Sequence, residues 1–480
     1  MNNHDRPQLL RSLRLWDVVA MNIVAVVGLR WITRSARVGA PSVTLWILAC
    51  LAFFVPLASV LAELSSRHPD QGGIYAWARR AFGPTHGFVC GWCMWVNNLF
   101  YFPALLLFAA ANATLMLGAG GPALENNRLY SIAFVLTGLW ACTLLNIVGF
   151  SAGKWVQHVG SIATWLPAGL LIGCGAVGFA MFGSATSFAP AELVPHDDFW
   201  STMNLWSAMC FAFSGFEIAS MVGQEVEAPT RTIPRAIVLS GAAITAIYIL
   251  SSTSVLVAVP ATELSERSGI ADAIALVSGR LGLAGLGAFT GFLLVVGSIG
   301  GTSSWIAGAA RVPFAAGVDA VMPAAFARLH HRNRTPHVAL MVQAIATTAL
   351  FLASLFLSVG GGETSLQAAY DIMVNLTILV YFIPYLYLFA AFIRLRTIDR
   401  DLPVDEHALR FPGGAIGAWA IAGCGLLATL VALGLIFVPP PGTENPLNYE
   451  VNLFGQAAVI LGIGMAFYFS ARRRGNTAGA

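Results

Sequence analysis

The chain alternates between long apolar runs and short segments that carry its charged side chains. A helix that crosses a lipid bilayer needs about 20 mostly apolar residues, and twelve such runs are present. Helices are expected, because a backbone in lipid must satisfy its own hydrogen bonds. The predicted spans 1 to 12 are Leu15–Ile32, Val43–Leu64, Phe88–Leu117, Leu129–Phe150, Val156–Phe182, Trp200–Val222, Ala236–Val259, Ala284–Ala309, Val338–Leu357, Leu366–Ile393, Ile416–Val438 and Leu453–Ser470.

Composition supports an integral membrane protein rather than a soluble one. Of the 480 residues, 10% are charged and 57% are hydrophobic, whereas soluble domains carry about 25% charged residues. The seven cysteines lie in or beside apolar runs, which indicates no disulfide framework. The sequence has no HExxH, GxSxG or phosphate-loop motif and no clustered metal ligands. It therefore predicts no enzyme, no metal and no cofactor.

Positive charges are distributed unevenly between the two sides of the predicted bundle. With the N-terminus inside, 20 of the 26 lysines and arginines fall in cytoplasmic segments, five lie on the opposite side, and Arg30 lies within span 1. Cytoplasmic loops carry an excess of lysine and arginine. The sequence therefore predicts a multi-pass plasma membrane protein with both termini in the cytoplasm. The net charge of +3 follows from this asymmetry and indicates no nucleic-acid partner.

Three ionisable residues lie well inside predicted spans: Arg30 in span 1, Glu217 in span 6 and Asp371 in span 10. Such charges are costly in a bilayer and normally face a cavity, a partner or an ion path. Spans 1 and 6 also carry glycines beside these charges, Gly28 and Gly215. Glycine interruptions at corresponding positions of two halves point to the central site of a transporter. Alternatively, the glycines only allow close helix packing.

Three longer segments carry a recognisable pattern. They read "AELSSRHPDQGGIYAWARRAFG" at 62–83, "FSGFEIASMVGQEVEAPTRTIPRAI" at 213–237 and "SSWIAGAARVPFAAGVDAVMPAAFARLHHRNRTPHVAL" at 303–340. In this order and position they resemble amino acid permeases of the amino acid–polyamine–organocation superfamily, and the resemblance covers nearly all of the chain. The third segment and "LRFPGG" at 409–414 look most like the branch that contains glutamate/GABA-type antiporters.

The resemblance implies an all-α polytopic membrane protein with twelve transmembrane helices and a LeuT-like fold. Two inverted repeats of five spans, at about 15–182 and 200–393, would contain the broken helices 1 and 6. The implied segments are a cytoplasmic N-terminal segment at 1–14, a transport core at 15–393, a cytoplasmic loop at 394–415, spans 11 and 12 at 416–470 and a cytoplasmic tail at 471–480.

The resemblance also implies a substrate site at mid-membrane between the broken helices, with walls from spans 3, 8 and 10. By position, Phe211 would be the aromatic lid of span 6, and Ser214 and Gly215 would be its unwound backbone. Glu217 matches a glutamate that some relatives use in proton-linked gating. The residues that would face the amino and carboxylate groups of the substrate are Asn22, Val26, Val27 and Gly28.

Three polar or aromatic residues are further candidates for the pocket wall. Trp305 in span 8 is one, although most tryptophans in membrane proteins belong to interface belts or packing. The adjacent amides Asn97 and Asn98 in span 3 are the others, with interhelical hydrogen bonding as the alternative. The chain departs from relatives at Thr164, where some place a lysine, and at 25–27, where Ala-Val-Val replaces a Gly-Ser-Gly type of turn.

Arg30 then has three interpretations. As a ligand, it binds a substrate carboxylate and compensates for the altered turn of span 1. As a gate, it pairs with Glu217 or Asp371 and changes partner during transport. In the third interpretation it reaches the outer membrane interface together with Arg34 and Arg37.

These features predict a secondary active transporter that moves amino acids across the plasma membrane by alternating access. It would act as an exchanger or a proton-linked permease, with a proton or a counter-transported amino acid as its second partner. One alternative is a proton-coupled transporter of small amines or polyamines, which the acidic Glu217 and Asp371 favour and Arg30 disfavours. The other is a membrane amino acid sensor that binds without transport.

Overall fold

The computed structural model describes residues 14–68, 73–125, 127–148, 150–195, 199–217, 226–264, 268–283, 285–310, 312–313, 324–333, 335–357, 365–399, 410–439 and 445–477. Within these ranges the chain forms helices joined by turns, and no β-strand occurs. Ten of the described helices are long and apolar enough to cross a bilayer. Spans 1 and 6 are interrupted and are therefore not among these ten continuous helices.

The continuous spans follow the predicted apolar runs and extend beyond many of their ends. Spans 2 to 5 are Pro41–Arg67, Pro84–Thr114, Arg128–Val148 and Phe150–Phe182. Spans 7 to 12 are Pro229–Ala258, Leu286–Ala309, His337–Leu357, Ser365–Ile398, Gly414–Leu435 and Pro446–Thr477. Two shorter helices connect spans, Ile74–Phe82 before span 3 and Gly269–Arg280 before span 8.

Span 1 is broken into two helices, Leu15–Val26 and Leu29–Ala36. Val27 and Gly28 between them have extended backbone, so peptide groups at the break need partners outside the helix. A methyl group on Gly28 would lie 2.5 Å from the Trp31 indole ring. The close approach of this ring therefore requires glycine at the break.

Span 6 is interrupted in the same way. It begins as the helix Phe199–Ala212 and changes into a turn at residues 213–216. Gly215 has a φ of 111°, a conformation that glycine adopts easily and residues with a Cβ avoid. Both breaks predicted from Gly28 and Gly215 are thus confirmed.

The helices differ in how far protein surrounds them. In the most apolar window of span 3, 78% of residues are buried, and in span 10, 72%. The corresponding share is only 28% in spans 4, 5 and 12, which leaves their apolar side chains to face lipid. Spans 3 and 10 therefore stand at the centre of the bundle, beside the broken spans.

A buried ion pair joins spans 2 and 10 at the side of the membrane where the N-terminus lies. Glu63 is 1% exposed and accepts hydrogen bonds from Arg396 Nε at 2.7 Å and Nη2 at 2.6 Å. The Phe411 amide also donates to Glu63 at 2.7 Å. Span 10 continues as a helix to Ile398, beyond Ile393 where the predicted apolar run ends, and this ion pair joins the extension to span 2.

Candidate functional site

A cavity lies between the two broken helices, with walls from spans 1, 3, 6, 8 and 10. The residues that line this central cavity are Val26, Trp31, Asn97, Asn98, Tyr101, Phe211, Ser214, Gly215, Trp305 and Tyr381. The last helical residue before the span 1 break and the turn of span 6 therefore line the same cavity.

The structure brings most of the predicted substrate contacts together. Those that line the central cavity are Val26, Asn97, Asn98, Phe211, Ser214, Gly215 and Trp305. Val27, Gly28 and Arg30 line a neighbouring cavity instead. Asn22 is fully buried and lines neither cavity, because its Nδ2 donates to Ser240 Oγ in span 7 at 3.1 Å.

An aromatic cluster adjoins the cavity. The Phe211 ring, predicted as a lid, contacts Trp31 edge-on at a centroid distance of 5.2 Å and Tyr381 at 5.6 Å. The contacts join the second helix of span 1, Leu29–Ala36, to the end of the span 6 helix and to span 10. Sequence reasoning missed Trp31, Tyr101 and Tyr381, because a single aromatic residue in an apolar run carries no pattern that separates a pocket wall from packing.

Tyr248 in span 7 joins the two breaks. Its hydroxyl lies 2.8 Å from the carbonyl oxygen of Val26 and 3.0 Å from that of Ala212. The same hydroxyl accepts a hydrogen bond from the Gly28 amide at 3.1 Å. One buried side chain therefore supplies partners to backbone groups that both interruptions release from their helices.

Glu217 is fully buried where span 6 meets span 10. Its carboxylate accepts hydrogen bonds from the hydroxyls of Tyr381 and Tyr385, the latter at 3.1 Å. It also accepts one from the Gly215 amide at 3.1 Å. The carboxylate thus holds the unwound turn of span 6 and two tyrosines of span 10 in one network, and Tyr381 extends this network to the cavity wall.

Asp371 belongs to a different network from Glu217. The carboxylate of Asp371 pairs with Arg34 rather than Arg30, at 2.7 Å between Nη1 and Oδ1. Arg34 is 1% exposed, so it is enclosed by protein and does not extend to the membrane surface. Its Nη2 also donates to Asn375 Oδ1 at 3.2 Å. Asp371 lines neither cavity.

Arg30 is also enclosed by protein, with 2% of its side chain surface exposed. Its guanidinium carbon lies 4.4 Å from the ring centroid of Trp31 and 4.4 Å from that of Tyr101. Such contacts stabilise a cation by about 0.5–2 kcal/mol. In this structure Arg30 therefore lies between aromatic rings at the cavities, and neither predicted acid is its partner.

Paired helix interruptions around a central cavity, inside a bundle of apolar helices, define a secondary transporter. The family model described as amino acid permease matches residues 13–465. The chain belongs to this amino acid permease family, within the superfamily that the sequence motifs indicated. Members of the family are transporters and not enzymes, so both of these predictions are confirmed.

Curated relatives include an uncharacterised transporter of Legionella pneumophila, 31% identical over 456 residues, covering 94% of this chain and 95% of the relative. A probable agmatine/putrescine antiporter of Lactococcus lactis is 26% identical, covering 89% of this chain and 87% of its own length. A glutamate/gamma-aminobutyrate antiporter of the same organism is 25% identical, with coverages of 82% and 77%. Two of these three relatives are named as antiporters, and all three align with this chain over most of its length.

The solved structure of a manganese transporter from Eremococcus coleocola has the same fold. It superimposes with a TM-score of 0.57 at 11% sequence identity, covering 98% of this chain and 99% of that one. At this identity the similarity concerns the fold alone. The predicted LeuT-like, all-α polytopic fold is confirmed.

Proposed function

We propose that this chain is an obligate exchanger of amino acids or small amines, and that it holds one substrate at a time in the central cavity. The observation that carries the proposal is the position of this cavity, whose lining includes Val26 at the end of the first helix of span 1 and Ser214 and Gly215 in the turn of span 6. Movement of either segment would alter the same binding space. This is the arrangement that alternating access requires.

Asn97 is the proposed contact for the substrate amino group. It lines the central cavity, is 4% exposed, and its Oδ1 atom has no hydrogen-bond partner within the described part of the chain. A buried amide oxygen without a partner costs about 1–3 kcal/mol. An ammonium group in the cavity would supply the missing donor. The Ser214–Gly215 backbone beside it offers further polar groups.

Gating is assigned to the aromatic cluster and to Glu217. Phe211 packs against Trp31 and Tyr381, and separation of these rings would open the cavity on their side. Glu217 links the span 6 turn to span 10, so a proton on its carboxyl group would weaken the acceptor that holds both tyrosines. We assign any coupling of transport to protons to this network of Glu217, Tyr381 and Tyr385.

Location and orientation follow from charge rather than geometry. The proposal places the protein in the cell membrane with both termini in the cytoplasm, as the positive-inside bias of 20 residues against five favours. Single cysteines introduced at the N-terminus and in the loop between spans 7 and 8, in a variant without native cysteines, test this. Impermeant thiol reagents applied to intact cells should label only the loop cysteine.

The function is tested with purified protein in proteoliposomes. The external panel consists of labelled amino acids, agmatine and putrescine, with vesicles either empty or preloaded with the same compounds. We expect uptake only into preloaded vesicles. Uptake into empty vesicles driven by a pH gradient would contradict exchange and establish symport, and binding without any uptake would establish a sensor.

Two variants of the same helix test the site. Asn97→Ala should weaken substrate affinity by roughly tenfold, the value of one good hydrogen bond to a charged group. Asn112→Ala is the matched control, because Asn112 is also a buried asparagine of span 3 and lines neither cavity. Equal affinities of the Asn97→Ala and Asn112→Ala proteins would contradict the assignment.

A further inference from the structure

A second cavity adjoins the central one. Tyr101 and Trp305 line both cavities and form the wall between them. Arg30 lines only the second, which we name the Arg30 cavity, together with Thr164 and Ser298. The remaining walls are small or apolar side chains of spans 1, 3, 5 and 8.

Arg30 presents charge and hydrogen-bond donors that the described protein does not use. Its Nη1 and Nη2 atoms are buried and have no hydrogen-bond partner within the described ranges. A guanidinium carries five N–H donors and stays protonated at every accessible pH. The rings of Trp31 and Tyr101 cover it but accept no conventional hydrogen bond. A buried cation of this kind is costly unless an anion joins it.

Within the described part of the chain, no compensating acid lies beside Arg30 in its cavity. No aspartate or glutamate is among the described residues that line the Arg30 cavity. Glu217 accepts hydrogen bonds from Tyr381 and Tyr385, and Asp371 pairs with Arg34. The space beside the guanidinium therefore has positive potential and room for a guest.

We propose that the Arg30 cavity is an anion subsite, in which Nη1 and Nη2 of Arg30 donate to a carboxylate or another small anion. A carboxylate fits the planar donor fork of a guanidinium in a bidentate way. The anion has two sources: the side chain of a transported substrate that spans both cavities, or a free anion such as chloride. The first source rests on the exchange function proposed above, and the second does not.

The test compares probes that differ in one charge. Purified wild-type protein is titrated with L-glutamate and with its neutral isostere L-glutamine, by calorimetry in a chloride-free buffer. Separately, chloride replaces isethionate at constant ionic strength while the midpoint of thermal unfolding is measured. The same measurements are made on Arg30→Met, Arg30→Lys and the control Arg128→Gln. Arg128 is an arginine stacked on Phe356, and it lines neither cavity.

If the substrate supplies the anion, wild-type protein should bind glutamate about 10- to 100-fold tighter than glutamine, the range of a charge-assisted hydrogen bond. Arg30→Met should abolish this preference, Arg30→Lys should retain part of it, and Arg128→Gln should retain all of it. If a free anion is the ligand, chloride should raise the unfolding midpoint of the wild type and of Arg128→Gln but not of Arg30→Met.

The proposal is overturned if Arg30→Met keeps both the glutamate preference and the chloride response of the wild type. It is equally overturned if wild-type protein shows neither effect, a result that needs no variant to fold. Exchange by wild-type protein in preloaded vesicles is measured independently. Loss of exchange with a retained chloride response would reject the proposed function and leave the anion site standing.

Discussion

Arg34 Nη1 lies 2.7 Å from Asp371 Oδ1, and this ion pair joins the second helix of span 1, Leu29–Ala36, to span 10. The side chains are 1% and 14% exposed, so water screens the pair poorly. Gln367 Nε2 also donates to Asp371, at 3.3 Å. Because spans 1 and 10 both line the central cavity, the pair fixes the relative position of two of its walls.

Arg34→Gln and Asp371→Asn should each destabilise the protein by about 3–5 kcal/mol, because each leaves a buried charge without its partner. The double variant Arg34→Gln/Asp371→Asn should lose much less than the sum of the single losses. Thermal unfolding in detergent measures this double-mutant cycle. The exposed pair Arg14–Glu227 is the control, and Arg14→Gln should change stability by about 0–1 kcal/mol. Additive losses at Arg34 and Asp371 would show that the pair contributes no coupling.

The sequence predicts the spans and the breaks but not which arginine pairs with Asp371. Bilayer thickness imposes the length of each apolar run, and Gly28 and Gly215 mark the interruptions, so both features are local. Arg30 and Arg34 are four residues apart in the helix Leu29–Ala36 and share a face, so helical phase does not distinguish them. Which of them lies level with Asp371 depends on how spans 1 and 10 pack, which no periodicity encodes.

The role of Tyr248 was equally inaccessible to sequence reasoning. A tyrosine inside an apolar run indicates packing, and only the folded chain places its hydroxyl between Val26 and Ala212, residues far apart in sequence. By contrast, seven residues of the central cavity were predicted. Ser214, Gly215 and Trp305 lie in the family motifs, and Val26, Asn97, Asn98 and Phe211 lie on spans that the resemblance assigns to the site.

Tyr248→Phe should lower both stability and exchange rate. The ring would remain stacked on Trp46, at a centroid distance of 4.4 Å and an interplanar angle of 7°, so packing is preserved. Backbone groups at both breaks would lose their partner, and a buried unsatisfied group costs about 1–3 kcal/mol. Unfolding midpoints and counterflow rates measure the two effects.

The control for Tyr248 is Tyr130→Phe. The Tyr130 hydroxyl also donates to a backbone carbonyl, that of Ala110 at 3.0 Å, but away from the breaks. This variant should lose stability without a change in substrate affinity. If Tyr248→Phe behaves in the same way, its hydroxyl has a structural role only.

Gly28→Ala should weaken substrate binding. The new methyl group would lie 2.5 Å from the Trp31 indole and would displace this ring, which contacts Phe211 and Arg30. The matched control is Gly308→Ala in span 8, where no atom lies within 4 Å of the new methyl group. Equilibrium binding should show a loss only for Gly28→Ala, and equal affinities would contradict the proposed close fit.

Glu217→Gln should make exchange independent of pH between about pH 5 and 8, if the carboxyl group supplies the proton linkage as proposed. The amide has nearly the same shape but cannot gain or release a proton, and it still offers an acceptor to Tyr381 or Tyr385. Exchange rates in vesicles with equal internal and external pH measure the profile. An unchanged profile in Glu217→Gln would assign the linkage to another group.

Asp272 should make the stability of the protein depend on pH. It lies in the short helix Gly269–Arg280, outside the membrane spans, and burial raises the pKa of its carboxyl group to about 6. The hydrogen bond from Ser268 lowers this pKa and the charge of Glu125 raises it, both by less than burial does. In the unfolded chain the pKa is about 3.9.

Between about pH 4 and pH 6 the folded protein therefore binds more protons at Asp272 than the unfolded chain, so stability falls as the pH rises through this range and then levels off. Asp272→Asn should remove this contribution, and its unfolding midpoint should decline less than that of the wild type from pH 4 to pH 6. Glu263→Gln, which changes an exposed carboxylate in the preceding loop, should keep the slope of the wild type. Unfolding midpoints measured at pH 4, 5, 6 and 7 on all three proteins check this. Parallel curves for wild type and Asp272→Asn would show that the carboxyl group of Asp272 does not set the dependence of stability on pH.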